Sequence, residues 1–195
     1  MAEEKHVDWS CACGRLSARV STGDGSRVVC YCEDCRAFLH HQRKDEWLDA
    51  SGGSELFQTT PDRIEIVSGA DKLAAVRMTS KGPYRWSASC CSTPFANSFV
   101  SSQVPFASIQ VPGTDAAARK AFGPVRLRYK AEQATRAAPK DRGSLYGQMV
   151  AVLRRALTAR LSGQWKRNPF FDADGKPVSD VHVLTDEERR AAYGR

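Results

Sequence analysis

Three thiols fall within six residues, in the stretch Cys30-Tyr31-Cys32-Glu33-Asp34-Cys35. The preceding Arg27-Val28-Val29 reads as a β-strand, and residues i and i+2 of a strand share a face, so Cys30 and Cys32 aim at one point. Glu33 and Asp34 form an acidic first turn for a short helix running from Glu33 to about His41. Cys35, one turn past Cys32, closes over the same point. Three converging thiolates suit Zn²⁺, and three protein ligands with the fourth position open is the arrangement of a catalytic rather than a structural site. The plain alternative is three reduced core cysteines, but C-x-C-x-x-C packs more thiol into one turn than packing asks for.

A second group stands at Cys11-Ala12-Cys13-Gly14. Cys11 and Cys13 repeat the i, i+2 spacing, and Gly14 suits a tight knuckle in which backbone N–H groups turn toward sulfur. These two cysteines need further ligands, and the cysteines that remain are Cys90 and Cys91. Cys11, Cys13 and one or both of these would make a closed structural site that contributes folding free energy. Neighbouring residues on a strand point apart, so joint ligation by Cys90 and Cys91 requires a bend. Otherwise Cys90 is a buried free thiol.

The elements that must position these groups read as short strands punctuated by Gly and Pro turns. Strands are expected at 15–20, 27–30, 55–60, 63–67, 75–79, 84–87 and 104–111, which is the pattern of an all-β unit. Past residue 113 the composition changes. A short helix is expected from Asp115 to Phe122 and a strand at Val125–Tyr129, followed by an alanine-rich stretch from Ala131 to Lys140. Ser144 caps an amphipathic helix reaching Leu161. Its stripe of Leu145, Met149, Leu153, Ala156, Leu157 and Leu161 is expected to pack on the β unit. An extended strap covers 165–183, and Thr185-Asp186-Glu187-Glu188 opens a last helix with a capping box. The organisation is therefore a β unit at 7–113 and a basic, mostly helical extension at 114–195 packed on it.

The chain has 195 residues, is 42% hydrophobic and carries a formal net charge of +7. No apolar run reaches membrane-spanning length, and the charged Met1–His6 does not fit a signal peptide. A cytoplasmic location is expected, where clustered cysteines mean metal or catalysis rather than disulfides. Residues 116–171 hold 13 Lys and Arg against 2 Asp and Glu. Such a surface attracts anions, although a solvated helical face is the simpler explanation. Dinucleotide and phosphate-binding glycine motifs, Gly-x-Ser-x-Gly and His-Glu-x-x-His are all absent from the sequence.

The pattern resembles the glutathione-dependent formaldehyde-activating enzyme family, also known by the CENP-V/GFA domain. The resemblance rests on Cys11-Ala12-Cys13-Gly14, Cys30-Tyr31-Cys32-Glu33-Asp34-Cys35-Arg36, Gly69 with its following strand, and Cys90-Cys91-Ser92-Thr93, and covers about residues 7–112. It implies a mainly β fold, a zinc-binding β-tent of antiparallel sheets, here with an α-helical extension. It also implies a structural zinc on Cys11, Cys13 and the Cys90/Cys91 motif, and a second, catalytic and labile zinc on Cys30, Cys32 and Cys35. The activity implied is that of a carbon–sulfur lyase acting on thiol adducts of small aldehydes, with glutathione and formaldehyde as the namesake pair. Two departures stand out. The family's first cysteine of the third motif falls at Ala88, and its glycine after the second falls at Ser92.

The expected chemistry is that a substrate thiol or water takes the open position and loses its proton, and that the thiolate attacks a small carbonyl or is expelled in reverse. Three thiolates leave the zinc site at net −1. Arg36, with Arg85 as a second candidate, could offset this and bind a substrate carboxylate. Tyr31, His40 and His41 are acid–base candidates. The rival expectation is a non-catalytic zinc-stabilised module that binds nucleic acid or an acidic partner through Arg154, Arg155, Arg160, Lys166 and Arg167 on one exposed face. A homodimer is among the expected assemblies.

Overall fold

The computed structural model describes residues 5–140 and 143–194. The chain is mainly β, with helices concentrated in its C-terminal part. The strands β1 (His6–Ser10), β2 (Ser17–Ser21) and β3 (Ser26–Cys30) lead into helix α1 (Glu33–His41). β4 (Ser54–Thr59), β5 (Ile64–Ser68), β6 (Leu73–Arg77), β7 (Tyr84–Ala88), β8 (Thr93–Ser98) and β9 (Ala107–Gln110) follow. The C-terminal part supplies β10 (Val125–Tyr129), α2 (Leu145–Leu161), β11 (Val181–Val183) and α3 (Asp186–Tyr193).

In β1 the alternation His6-Val7-Asp8-Trp9-Ser10 buries Val7 and Trp9 and exposes the polar residues, the period-2 signature of a half-buried strand. β1, β2 and β5 form an antiparallel three-stranded sheet. The other eight strands form one sheet in the order β10-β3-β4-β9-β8-β7-β6-β11. A single core draws on both sheets, with Trp9, Phe57, Trp86, Phe95 and Ile109 fully buried. Phe170 of the C-terminal strap completes it, stacked on Trp86 at 5.0 Å between ring centroids.

The eight-stranded sheet departs from the expected all-antiparallel arrangement. Its inner ladders are antiparallel, but β10 pairs with β3 and β11 with β6 in parallel. The C-terminal segment thus supplies both outer strands. β8 and β11 escape a reading by alternation for different reasons. β8 is buried at every position, so it has no polar face, and β11 is only three residues long. Residues 115–122 form a turn and a short 3-10 segment, Ala118–Phe122, in place of the expected helix.

Helix α2 forms where expected, with Ser144 Oγ accepting from Gly147 N–H at 3.1 Å. Its orientation is the reverse of the expected one. Leu153 is 65% exposed and Leu157 59%, with Leu145, Met149 and Leu161 also exposed. The buried residues are Gln148, Arg155 and Ala159. The reason is polar anchoring. Gln148 Nε2 donates to Gln58 Oε1 at 2.6 Å, Arg155 donates to Ser26 Oγ at 3.1 Å, and Arg154 pairs with Asp24 at 2.6 Å. These bonds turn the face of Gln148, Arg155 and Ala159 toward the sheet and leave the apolar stripe outside.

Candidate metal centre

Two cysteine clusters form, and together they use all seven cysteines: Cys11, Cys13, Cys90 and Cys91 in one, Cys30, Cys32 and Cys35 in the other. Within each, all ligand atoms lie within 4.8 Å of one another.

The first cluster is built from two turns. Cys11 to Leu16 folds back on itself, with Gly14 N–H donating to Cys11 O at 2.9 Å and Leu16 N–H donating to Cys11 Sγ at 3.3 Å. Gly14 has φ +74°, a left-handed conformation that a side chain resists. Gly69 braces this turn from behind. A Cβ there would lie 2.0 Å from Arg15 O. Cys90 and Cys91 sit in the four-residue turn 89–92 between β7 and β8. That turn supplies the bend, with Ser92 at φ +52°. It brings both neighbours to the cluster. Thr93 Oγ1 ties the two turns together, accepting from Ala12 N–H at 3.0 Å and touching Cys91 Sγ at 3.1 Å.

Sulfur separations are 3.6 Å for Cys11–Cys13, 3.8 Å for Cys11–Cys90, 3.3 Å for Cys13–Cys90 and 3.8 Å for Cys90–Cys91. Zn–S bonds near 2.3 Å place tetrahedral sulfurs about 3.8 Å apart. The four-sulfur set fits that geometry and offers no open position. Arg15 Nε donates to Cys13 Sγ at 3.4 Å, and this guanidinium lowers the Cys13 thiol to about 6.

The second cluster lies where β3 meets α1. Cys32 is the helix N-cap, its sulfur accepting from Cys35 N–H at 3.4 Å, and Cys30 Sγ lies 3.2 Å from Cys32 Sγ. The helix N-terminus favours negative charge there. Cys35 is held well below the usual thiol range by hydrogen bonds from Cys30 and Cys32 and by the Arg85 guanidinium. Cys30 is pushed up by its hydrogen bond to Cys32, by Cys35 and by burial. Spacing and donor type again suit zinc, here with three ligands.

This cluster opens on a cavity of about 220 Å³. Cys30, Cys32 and Cys35 line it together with Val28, Leu56, Pro83, Phe99, Phe106 and Tyr129, and with Arg85, Asn97, Gln58, Ser98 and Ser108. Arg85 is 3% exposed. It donates to Asn97 Oδ1 at 3.0 Å, approaches Cys35 Sγ at 3.8 Å and covers the Phe38 ring at 5.4 Å. Its Nε, also buried, has no hydrogen-bond partner.

The other candidates lie elsewhere. Arg36 donates to the carbonyls of Tyr31 at 3.3 Å and Gln133 at 3.4 Å, and does not line the cavity. Tyr31 is fully buried and donates to Asp49 Oδ2 at 2.9 Å. His40 pairs with Asp45. Burial lowers the His41 imidazole, and the nearby Glu188 only partly offsets it. None of these three lines the cavity either. The basic residues of the C-terminal part do not share one exposed face, because Arg155 is buried. Asn97, Phe99, Phe106 and Tyr129 carry no motif of their own. Arg85 had a signal, an arginine alternating with the aromatics Tyr84 and Trp86 and so facing the other side of its strand.

A family model matches residues 3–182. The chain belongs to DUF6151, a family of unknown function. Among solved structures, this DUF6151 chain is similar to a Rhodobacter sphaeroides protein determined as a structural-genomics target, at 16% identity and a TM-score of 0.41, covering 60% of this chain and 96% of that one. No curated protein matches. Among the described residues no helix is long and apolar enough to cross a membrane.

Proposed function

We propose that this DUF6151 protein is a zinc-dependent carbon–sulfur lyase-type enzyme that makes or breaks thiol adducts of small aldehydes at Cys30, Cys32 and Cys35. In this reading the fold is a zinc-binding β-tent whose four-cysteine cluster, Cys11, Cys13, Cys90 and Cys91, holds a structural zinc. The observation that carries it is the convergence of three thiols on the end of a cavity, backed by a buried guanidinium. The resemblance of the cysteine pattern to that of the formaldehyde-activating family supports the same reaction class.

Zinc held by the three sulfurs would supply a Lewis acid that keeps a substrate thiol deprotonated. The residues of the chain do the rest. Arg85 offsets the net −1 of three thiolates around a divalent ion, and Asn97 fixes the guanidinium. Val28, Leu56 and Phe106 line the cavity with carbon, which strengthens electrostatic contacts beside it. In the forward direction the thiolate sulfur bonds to the carbonyl carbon and the carbonyl oxygen takes up a proton from solvent. The reverse breaks the C–S bond and returns thiol and aldehyde.

The test is zinc content under reducing conditions for the wild type and for a variant with Cys30, Cys32 and Cys35 all changed to Ser. Two zincs per chain falling to one in a folded variant, with loss of hemithioacetal formation from a thiol and formaldehyde, supports the reading. A single zinc that survives the triple change overturns it. The rival nucleic-acid reading loses ground to the buried Arg155 and to the tie of Arg154 to Asp24.

A further inference from the structure

The walls of the cavity beside the three cysteines are mostly carbon: Val28, Leu56, Pro83, Phe99, Phe106 and Tyr129. Phe99 is 47% exposed and Tyr129 40% exposed, and Phe99 meets Phe106 with ring centroids 5.1 Å apart. An aromatic rim left this open to water is unfavourable unless something apolar covers it.

The polar groups of the wall have hydrogen-bond partners within the protein. Asn97 accepts from Arg85 and donates to Ser108 Oγ at 3.0 Å. Gln58 accepts from Gln148 of α2, and Ser98 Oγ accepts from Trp86 Nε1 at 2.9 Å. Among the described residues Arg85 is the only cation of the lining, and it faces the sulfurs. Lys130 sits over the Tyr129 ring at 5.9 Å without lining the cavity. Among the described residues no acidic side chain lines it. Glutathione carries two carboxylates and an ammonium group, and this lining offers them neither a spare pair of cations nor an anion. Burying such charges unpaired is costly. At about 220 Å³ the cavity also lies below the usual range for ligand pockets.

We infer that the groove beside Cys30, Cys32 and Cys35 selects a small uncharged ligand with an apolar or aromatic tail, with Phe99 and Phe106 as the specificity-determining residues, and that it discriminates against glutathione. This inference rests on the reading of the three sulfurs as the site of a thiol adduct.

Three probes separate the inference from the reading beneath it. Benzyl mercaptan, benzyl alcohol and glutathione are titrated calorimetrically into the zinc-loaded protein under reducing conditions, for the wild type and for Phe99→Lys. Phe99 is exposed enough for the variant to fold, and circular dichroism checks this. Benzyl mercaptan is expected to bind at least tenfold tighter than glutathione, the worth of one buried ring. Benzyl alcohol is expected to bind more weakly but saturably, and Phe99→Lys is expected to weaken both benzyl probes about tenfold. Glutathione binding as tightly as benzyl mercaptan overturns the inference while leaving the thiol reading in place. Benzyl alcohol matching benzyl mercaptan supports the apolar groove but removes the case for a thiol at the metal. Benzyl probes indifferent to Phe99→Lys overturn the inference.

Discussion

Replacing Arg85 by Met should weaken metal binding at one cluster and leave the other untouched. The guanidinium lies 3.8 Å from Cys35 Sγ in a buried setting. At that separation a unit charge pair in an effective dielectric near 20 is worth about 4 kcal/mol. The desolvation cost of the guanidinium reduces the net, and about 3 kcal/mol is a fair working figure for an uncompensated buried charge. That corresponds to a loss of roughly a hundredfold in zinc affinity at Cys30, Cys32 and Cys35. Methionine fills much of the same volume against Phe38, so packing should survive. The assay is competition with a chromophoric chelator, which resolves a tight and a weak zinc. The four-cysteine zinc should keep wild-type affinity, since Arg85 does not belong to its surroundings. Arg85→Lys should lose less, because it keeps the charge while losing the fork that holds Asn97. If Arg85→Met binds both zincs within threefold of wild type, charge compensation by Arg85 is refuted.

Other substitutions test the frame around the site. Gly14→Ala meets open space but forces a side chain to φ +74°, so it should destabilise the zinc-loaded protein by about 1–2 kcal/mol, while Ser92→Gly at φ +52° should raise Tm. On α2, Leu153→Glu and Leu157→Glu should change stability by less than about 0.5 kcal/mol and improve solubility, whereas Arg155→Ala should cost about 1–3 kcal/mol in chemical denaturation. Thr185→Ala removes the N-cap of α3 and should cost about 1 kcal/mol, read as faster amide exchange in α3. The Glu188 carboxyl is lowered to about 2 by the Thr185 backbone N–H and by His182. Its folded value lies below the unfolded one near 4.5, so its contribution is whole above that pH and fades as pH falls toward about 2. Proteolysis of α3 should accelerate over that window and not between pH 6 and 8.

Local chemistry was legible wherever the cause was local. The acidic start of α1, the Ser144 cap and the Thr185–Glu188 capping box stand as their residues implied, while the i, i+2 cysteines converge through turns beyond β1 and β3 rather than on a strand face. The joining of Cys90 and Cys91 was not legible, because it depends on a turn whose left-handed residue is Ser92 rather than glycine. The facing of α2 was not legible either. Periodicity reports that a helix has two faces, but which face is covered was decided by partners 90 and 129 residues away, Gln58 for Gln148 and Ser26 for Arg155. The cavity was hidden for the same reason, since its walls come from six strands, helix α1 and the loops between them.

The parallel pairings of β10 on β3 and β11 on β6 have a consequence for how the chain is made. Both rims of the eight-stranded sheet stay bare until the C-terminal segment emerges, and α1 waits for α3 across roughly 150 residues, ~10 s of synthesis. During that interval the nascent sheet has two open edges, the state most prone to pair with a neighbouring chain. A fragment ending at residue 113 would hold that state permanently. It is expected to self-associate, and adding the peptide 114–195 in trans should restore a monodisperse species by size-exclusion chromatography. The C-terminal segment would then be a built-in chaperone for the sheet as much as a part of it.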